Sequence, residues 1–177
     1  MREALRTRTR RPGPHALAVA VLLAGAPVAL GADVVTNGGA EGDAGSEHSG
    51  QTVVPPSGWT TLEGGLSAQR YGHNGFPDGG GSGNNLFTGG ASARSSARQV
   101  IDLSSGASRI DQGGHTATLS AKLGGFEAQG DHAFVTAEFL GAKGDRLDAL
   151  TVGPVTRADR ADRTTLLART ATGTRSL

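Results

Sequence analysis

In three runs between residues 97 and 140, apolar side chains recur at close to every second position, and this period of two constrains the chain more than any other feature. Within 116–123, Ala117, Leu119, Ala121 and Leu123 alternate with Thr116, Thr118, Ser120 and Lys122. Within 97–103, Ala97, Gln99, Ile101 and Leu103 oppose Arg98, Val100 and Asp102; within 132–140, Ala133, Val135, Ala137 and Phe139 fall together. Successive side chains of a strand point to opposite faces, so these are strands, 116–123 half buried and half wet, while Phe134 and Leu140 add apolar area to the other face of 132–140. Shorter runs at 59–62, 66–71, 86–88, 147–155 and 164–169 predict further strands. Turns such as Gly113-Gly114, Gly124-Gly125, Gly130-Asp131 and Gly144-Asp145 separate them. No long helical period occurs, and 104–112 predicts a single helical turn. Many short strands joined by glycine turns predict an all-β sandwich or barrel.

The core of such a fold is thin. From Ala32 onward, 27 of 146 residues are Leu, Ile, Val or Phe, close to the level at which disorder competes with folding. The low net charge, together with only 29 Gly and 7 Pro in 177 residues, favours the folded outcome. Cysteine is absent, so packing or a bound ion must do what disulfides do in other exported domains.

The N-terminus reads as a secretory leader. Residues 1–15 carry Arg2, Arg6, Arg8, Arg10 and Arg11 against Glu3, and an uncharged run, ALAVAVLLAGA, comes next. A small-residue ending lies at 29–32. The run is shorter than the ~20 residues a membrane-spanning helix needs, and Arg10-Arg11 hints at twin-arginine export. The expected organisation is a signal peptide at 1–31, an extended segment and loop at 32–58, and a β-sandwich domain at 59–177, with 33–42 supplying its first strand region. The leader holds five of the 17 basic residues and one of the 16 acidic ones, leaving 12 against 15, a net charge of about −3. A slightly acidic chain with dispersed charge has no electrostatic footprint for nucleic acid. The expected product is secreted and carries no transmembrane anchor.

The glycine-rich stretch GFPDGGGSGNNLFTGG at 75–90 resembles a phosphate cradle only in composition. A P-loop needs Gly-Lys before Ser or Thr, and no Lys precedes Lys122. A dinucleotide loop needs an amphipathic helix after it, whereas strand-like Asn-Asn-Leu-Phe-Thr stands here. A loop on a β scaffold is therefore expected, rather than a phosphate site or a linker. His48, His73, His115 and His132 show no HExxH spacing, and no GxSxG elbow occurs. A non-catalytic chain is expected.

Asn37-Gly38-Gly39-Ala40-Glu41-Gly42, with Pro56-Ser57-Gly58-Trp59 after it, resembles the start of galactose-binding-like jelly-roll domains, including several carbohydrate-binding modules. NLFTGG, SSARQVIDLSSGASRID and ATLSAKLGG resemble secreted bacterial proteins that carry such domains. The resemblance implies a jelly-roll β-sandwich that binds extracellular or cell-wall glycan without catalysis. It also implies a structural calcium near the first strand, held by Glu41 and Asn37. The family pattern continues past a piece like GTRSL, where this chain reaches Leu177. The expected sandwich therefore lacks its last strand and offers an open edge for pairing with another chain. Trp59 is expected in the core. For sugar binding, Tyr71, His73 and Asn74 at the glycine loop are the candidates. The alternatives are a structural or adhesive surface protein and a fragment of a secreted hydrolase.

Overall fold

The computed structural model describes residues 16–25, 33–79, 82–113 and 115–175. The arginine-rich stretch 1–15, the small-residue ending at 29–32, Gly80, Gly81, Gly114 and the end at Leu177 lie outside the described residues. Strands dominate: β1 Ala16–Gly25, β2 Thr60–Glu63, β3 Ser67–Arg70, β4 Asn85–Thr88, β5 Arg94–Leu103, β6 His115–Gly125, β7 His132–Leu140, β8 Arg146–Val155 and β9 Thr165–Arg175. A 3-10 turn, Ser104–Gly106, and a short helix α1, Ala107–Asp111, link β5 to β6. The chain is all-β, as the period-two reading requires. Among the described residues, no helix is long and apolar enough to cross a membrane.

The described strands form three sheets, ordered β2-β5-β1-β7-β8, β3-β4 and β6-β9. The predicted faces of β5, β6 and β7 are the observed ones. Leu119 and Leu123 of β6, Ala133 and Ala137 of β7, and Val152 and Val155 of β8 bury together, and Leu167 and Ala171 of β9 pack against them. The β6-β9 ribbon thus covers the β7-β8 end of the large sheet. Thr116, Thr118, Ser120 and Lys122, on the other face of β6, are the more exposed set.

One expectation about the N-terminal third needs correction, and one segment there has an unforeseen place. The correction concerns 33–42, which turns instead of forming a strand. Asn37 and Ala40 adopt φ of 52° and 60°, and strand geometry is incompatible with these left-handed values. The unforeseen segment is Ala16–Gly25, the apolar part of the expected leader. It is the middle strand of the large sheet, parallel to β5 on one side and to β7 on the other. The physical reason is that an uncharged run of ten apolar residues suits two environments equally. It has the composition of a leader's apolar segment, and equally that of a parallel strand buried on both faces.

Because aliphatic residues are few, buried polar side chains fasten the loops to the sheets. Gln99 of β5, 7% exposed, accepts from Thr36 N at 2.8 Å and donates to Thr36 O at 3.0 Å and Gly58 O at 2.8 Å. Gln69 of β3 is fully buried; it accepts from Ser49 N at 2.9 Å and donates to Glu47 O at 3.2 Å. The half-buried Trp59 donates its indole N–H to Asn37 O at 3.3 Å and packs edge-on against Phe87, with ring centroids 5.5 Å apart. Its ring is therefore partly packed rather than in the buried core as expected, and it also lines the cleft described below.

RADRADR at 157–163 reads in sequence as a solvated loop, and at Arg160 the structure departs from that reading. The Arg160 side chain is fully buried. Its Nη1 donates to Glu127 O and Arg163 O at 2.9 and 2.8 Å, and its Nη2 to Asp131 Oδ1 at 2.6 Å. One guanidinium thereby ties the β8–β9 loop to the turn between β6 and β7. Gly125 leaves room for it, since a Cβ there would lie 2.6 Å from Nη2. Removing one partner of a buried ion pair costs about 3–5 kcal/mol, because the other charge stays behind. Arg160→Ala should therefore lower unfolding stability by roughly that amount in urea titrations. Arg157→Ala, which opens the exposed pair with Asp162, should leave the urea midpoint nearly unchanged.

Candidate functional site

The glycine-rich stretch lies on the β scaffold. β3 and β4 pair antiparallel from Ser67↔Thr88 to Arg70↔Asn85, so 71–84 is their connecting loop. Its glycines are needed where the backbone approaches other groups closely. Gly83 has φ of 103°, and a Cβ there would lie 2.2 Å from the Glu41 carboxylate. Gly75 has φ of 80°, and a Cβ there would meet the Phe126 ring at 2.8 Å.

This loop reaches across to the ribbon opposite. Phe76 stacks edge-on against Phe126 at 5.4 Å between centroids, and Lys122 Nζ donates to Ser82 Oγ at 2.5 Å. An open cleft of about 1470 Å³ lies between the β3-β4 and β6-β9 ribbons over the large sheet. Trp59, Leu86, Phe87, Leu119, Leu123 and Phe139 supply apolar wall. Tyr71, Asn74, Phe76, Ser82, Lys122 and Phe126 line the part where the 71–84 loop meets β6.

The candidates predicted for sugar binding divide here. Tyr71 and Asn74 both line the cleft, whereas His73 is exposed and is not among its lining residues. The backbone explains the split. Tyr71 N donates to Asn84 O at 3.0 Å, and Phe76 N turns back to His73 O at 3.0 Å. Asn74 adopts φ of 52°. Sequence reasoning misses Phe76, Ser82, Lys122 and Phe126. Phe76 stands two positions from Asn74, but its partner Phe126 is fifty residues away and no local pattern links them.

Glu41 and Asn37, expected near a calcium, are engaged in hydrogen bonds that hold the turn and the glycine loop. The Glu41 carboxylate accepts from Asn84 N at 3.0 and 2.9 Å and from Asn85 N at 3.0 Å, pinning the start of β4. Asn37 accepts from Gly42 N at 2.8 Å and donates to Asp43 Oδ2 at 2.8 Å and Ser57 O at 2.9 Å. Asn85 donates to Ala40 O and Asp43 O, and its own Oδ1 is buried without a hydrogen-bond partner. Calcium takes six to eight oxygens. Here the oxygens of Glu41 and Asn37 are engaged with backbone amides, and no group of three His, Cys, Asp or Glu among the described residues is placed to hold a metal. In this arrangement the donor set is taken up by hydrogen bonds. It stabilises the 36–43 turn and the end of the glycine loop.

Comparison with known protein families, curated proteins and solved structures finds no match to this chain.

The Tyr71 phenol titrates above its ordinary value of 10.0, first because the ring is partly buried and second because the Glu41 carboxylate opposes a negative phenolate. Tyr71 is the single tyrosine of the chain, so phenolate absorbance reports this site alone. The folded protein should titrate above pH 10 and return to about 10 in urea. Glu41→Gln should move the folded midpoint down without removing the whole shift, since burial is the larger cause. A raised folded pKa contributes stability that is present below pH 10 and fades as the pH climbs through the folded pKa. Tyr71→Phe should remove that loss at alkaline pH.

Proposed function

We propose that this chain is a secreted, non-catalytic binding module of jelly-roll β-sandwich type whose ligand is a carbohydrate. The observation that carries the reading is the cleft where the 71–84 loop meets β6. There, Tyr71, Phe76 and Phe126 place rings beside the polar groups of Asn74, Ser82 and Lys122. Sugars present C–H faces to aromatic rings and hydroxyls to hydrogen-bonding side chains, so apolar wall with a few polar groups is the chemistry that suits them. The all-β scaffold, the leader-like N-terminus and the resemblance of 37–59 to galactose-binding-like domains support the same reading. The net charge of about −3 after residue 31 favours a neutral glycan over a polyanion.

Two measurements test this. N-terminal sequencing of the exported protein should find a new terminus just after Gly31 or Ala32, and an intact Met1 on exported protein contradicts secretion by this leader. Glycan-array screening and then calorimetry should find a retained neutral glycan. Its affinity should fall by roughly tenfold or more in Tyr71→Ala, equivalent to about 1.4 kcal/mol, with an unchanged circular dichroism spectrum. His73→Ala should bind like the parent. Absence of retention on every glycan contradicts the carbohydrate reading.

A further inference from the structure

Four asparagines occur in the chain, and two of them, Asn37 and Asn74, precede a glycine. That dipeptide is chemically labile. The backbone nitrogen of the following residue can attack the asparagine side-chain carbonyl carbon, and glycine, which has no Cβ, hinders the approach least. Both pairs lie in turns, and both asparagines have the same left-handed φ of 52°. They differ in what holds the side chain.

The Asn37 amide is engaged at both ends. Its Oδ1 accepts from Gly42 N at 2.8 Å, and its Nδ2 donates to Asp43 Oδ2 at 2.8 Å and to Ser57 O at 2.9 Å. Asn74 is exposed, and its side chain has no hydrogen-bond partner among the described residues. The fold also explains why a labile pair stands in the 71–84 loop. Phe76 N donates to His73 O at 3.0 Å and closes a turn whose two central residues are both left-handed, Asn74 with φ of 52° and Gly75 with φ of 80°. Turns of that hand favour Asn-Gly. Packing fixes the glycine further, because a Cβ at Gly75 would lie 2.8 Å from the Phe126 ring. A side chain that would slow the attack is therefore excluded there.

We infer that Asn74 is a self-modification site: in the folded protein Gly75 N attacks Asn74 Cγ, ammonia leaves, and water opens the succinimide to aspartate or isoaspartate, while Asn37 keeps its amide. The new N–C bond replaces the bond from Cγ to the amide nitrogen, and the Gly75 amide proton departs with the ammonia. Hydrolysis consumes one water and yields one carboxylate, with no change in oxidation state. Opening at the side-chain carbonyl restores the ordinary backbone. Opening at the main-chain carbonyl reroutes the backbone through the side chain and lengthens it by a methylene. Either product places a negative charge on a residue that lines the cleft. The isoaspartyl product also distorts the turn that carries Phe76 to its edge-on contact with Phe126. The reacting groups belong to this chain and the co-reactant is water, so the inference does not rest on the proposed function.

The test incubates the folded full chain in mildly alkaline buffer, where loss of the Gly75 amide proton speeds the attack, and maps its tryptic peptides by mass spectrometry. No Lys or Arg lies between Tyr71 and Ala93, so one peptide carries Asn74, Asn84 and Asn85 and another carries Asn37. Fragmentation within the first peptide then separates its three asparagines. Acid should form at Asn74 at least roughly tenfold faster than at Asn37, whose amide must first leave its partners. In urea the two sites should convert at similar rates, since both precede glycine. In the isolated isoaspartyl fraction, Phe76 N should exchange with solvent at least roughly tenfold faster than in the parent. Equal rates at Asn37 and Asn74 in the folded protein overturn the inference. So does earlier conversion at Asn84 or Asn85, or an Asn74 that reacts only after unfolding. Unchanged exchange at Phe76 contradicts the effect on the turn. No sugar enters the measurement, so failure here is distinct from failure of the glycan reading.

Discussion

Scarcity of aliphatic side chains is the constraint on which the rest of this structure depends. A β fold this long ordinarily closes its layers with Val, Ile and Leu, but here the buried apolar cluster that joins β6 and β9 to β7 and β8 is small. Cohesion elsewhere comes from amide and guanidinium groups placed inside. Gln99 acts as a substitute strand edge for Thr36, Gln69 does so for Ser49, and Asn85 holds the carbonyls of Ala40 and Asp43. Arg160 gathers carbonyls from two loops at once. Such groups are stabilising only when their partners are in place, because a buried donor or acceptor left unpaired costs about 1–3 kcal/mol. Polar fastening therefore specifies one loop arrangement more strongly than an apolar core of equal size.

The same scarcity explains the cleft and the position of β1. With few large side chains between the two ribbons, Trp59, Leu86 and Phe87 line an open volume, although Trp59 and Phe87 pack on each other edge-on. A cavity of this kind is a loss to stability and an opening for a ligand. The chain's most apolar segment, Ala16–Gly25, pairs with both β5 and β7 at the middle of the large sheet. The composition expected of a leader's apolar run is thus also the composition of a strand that completes a sheet.

Legibility in the sequence depends on the range of the interaction. Alternation is local, so Leu119 and Leu123, Ala133 and Ala137, and the exposed Val100 take their faces from sequence alone, and the 104–112 turn is placed as well. The glycine stretch is legible as a loop on a β scaffold because Asn-Asn-Leu-Phe-Thr at its end reads as strand. Tyr71 and Asn74 reach the cleft because both sit on that loop. Contacts between distant segments leave no trace. Phe76 meeting Phe126, Glu41 reaching Asn84 and Arg160 reaching Asp131 each span tens of residues, and Arg160 in RADRADR looks no different from Arg157, which is exposed. The 33–42 turn is not legible as a turn, because the left-handed φ of Asn37 accompanies its engagement with Asp43 and the distant Ser57.

Native-state hydrogen exchange tests the central claim most directly, because polar fastening makes loop amides as protected as strand amides. The account predicts that Thr36 N, Ser49 N, Asn84 N and Asn85 N, none of which depends on a strand ladder for its partner, exchange at least roughly a hundredfold more slowly than in an unstructured peptide. Gln99→Ala should release Thr36 alone, leaving the others protected. If these amides exchange at unstructured rates while β6 and β7 remain protected, the side-chain latches do not hold the loops, and the account fails.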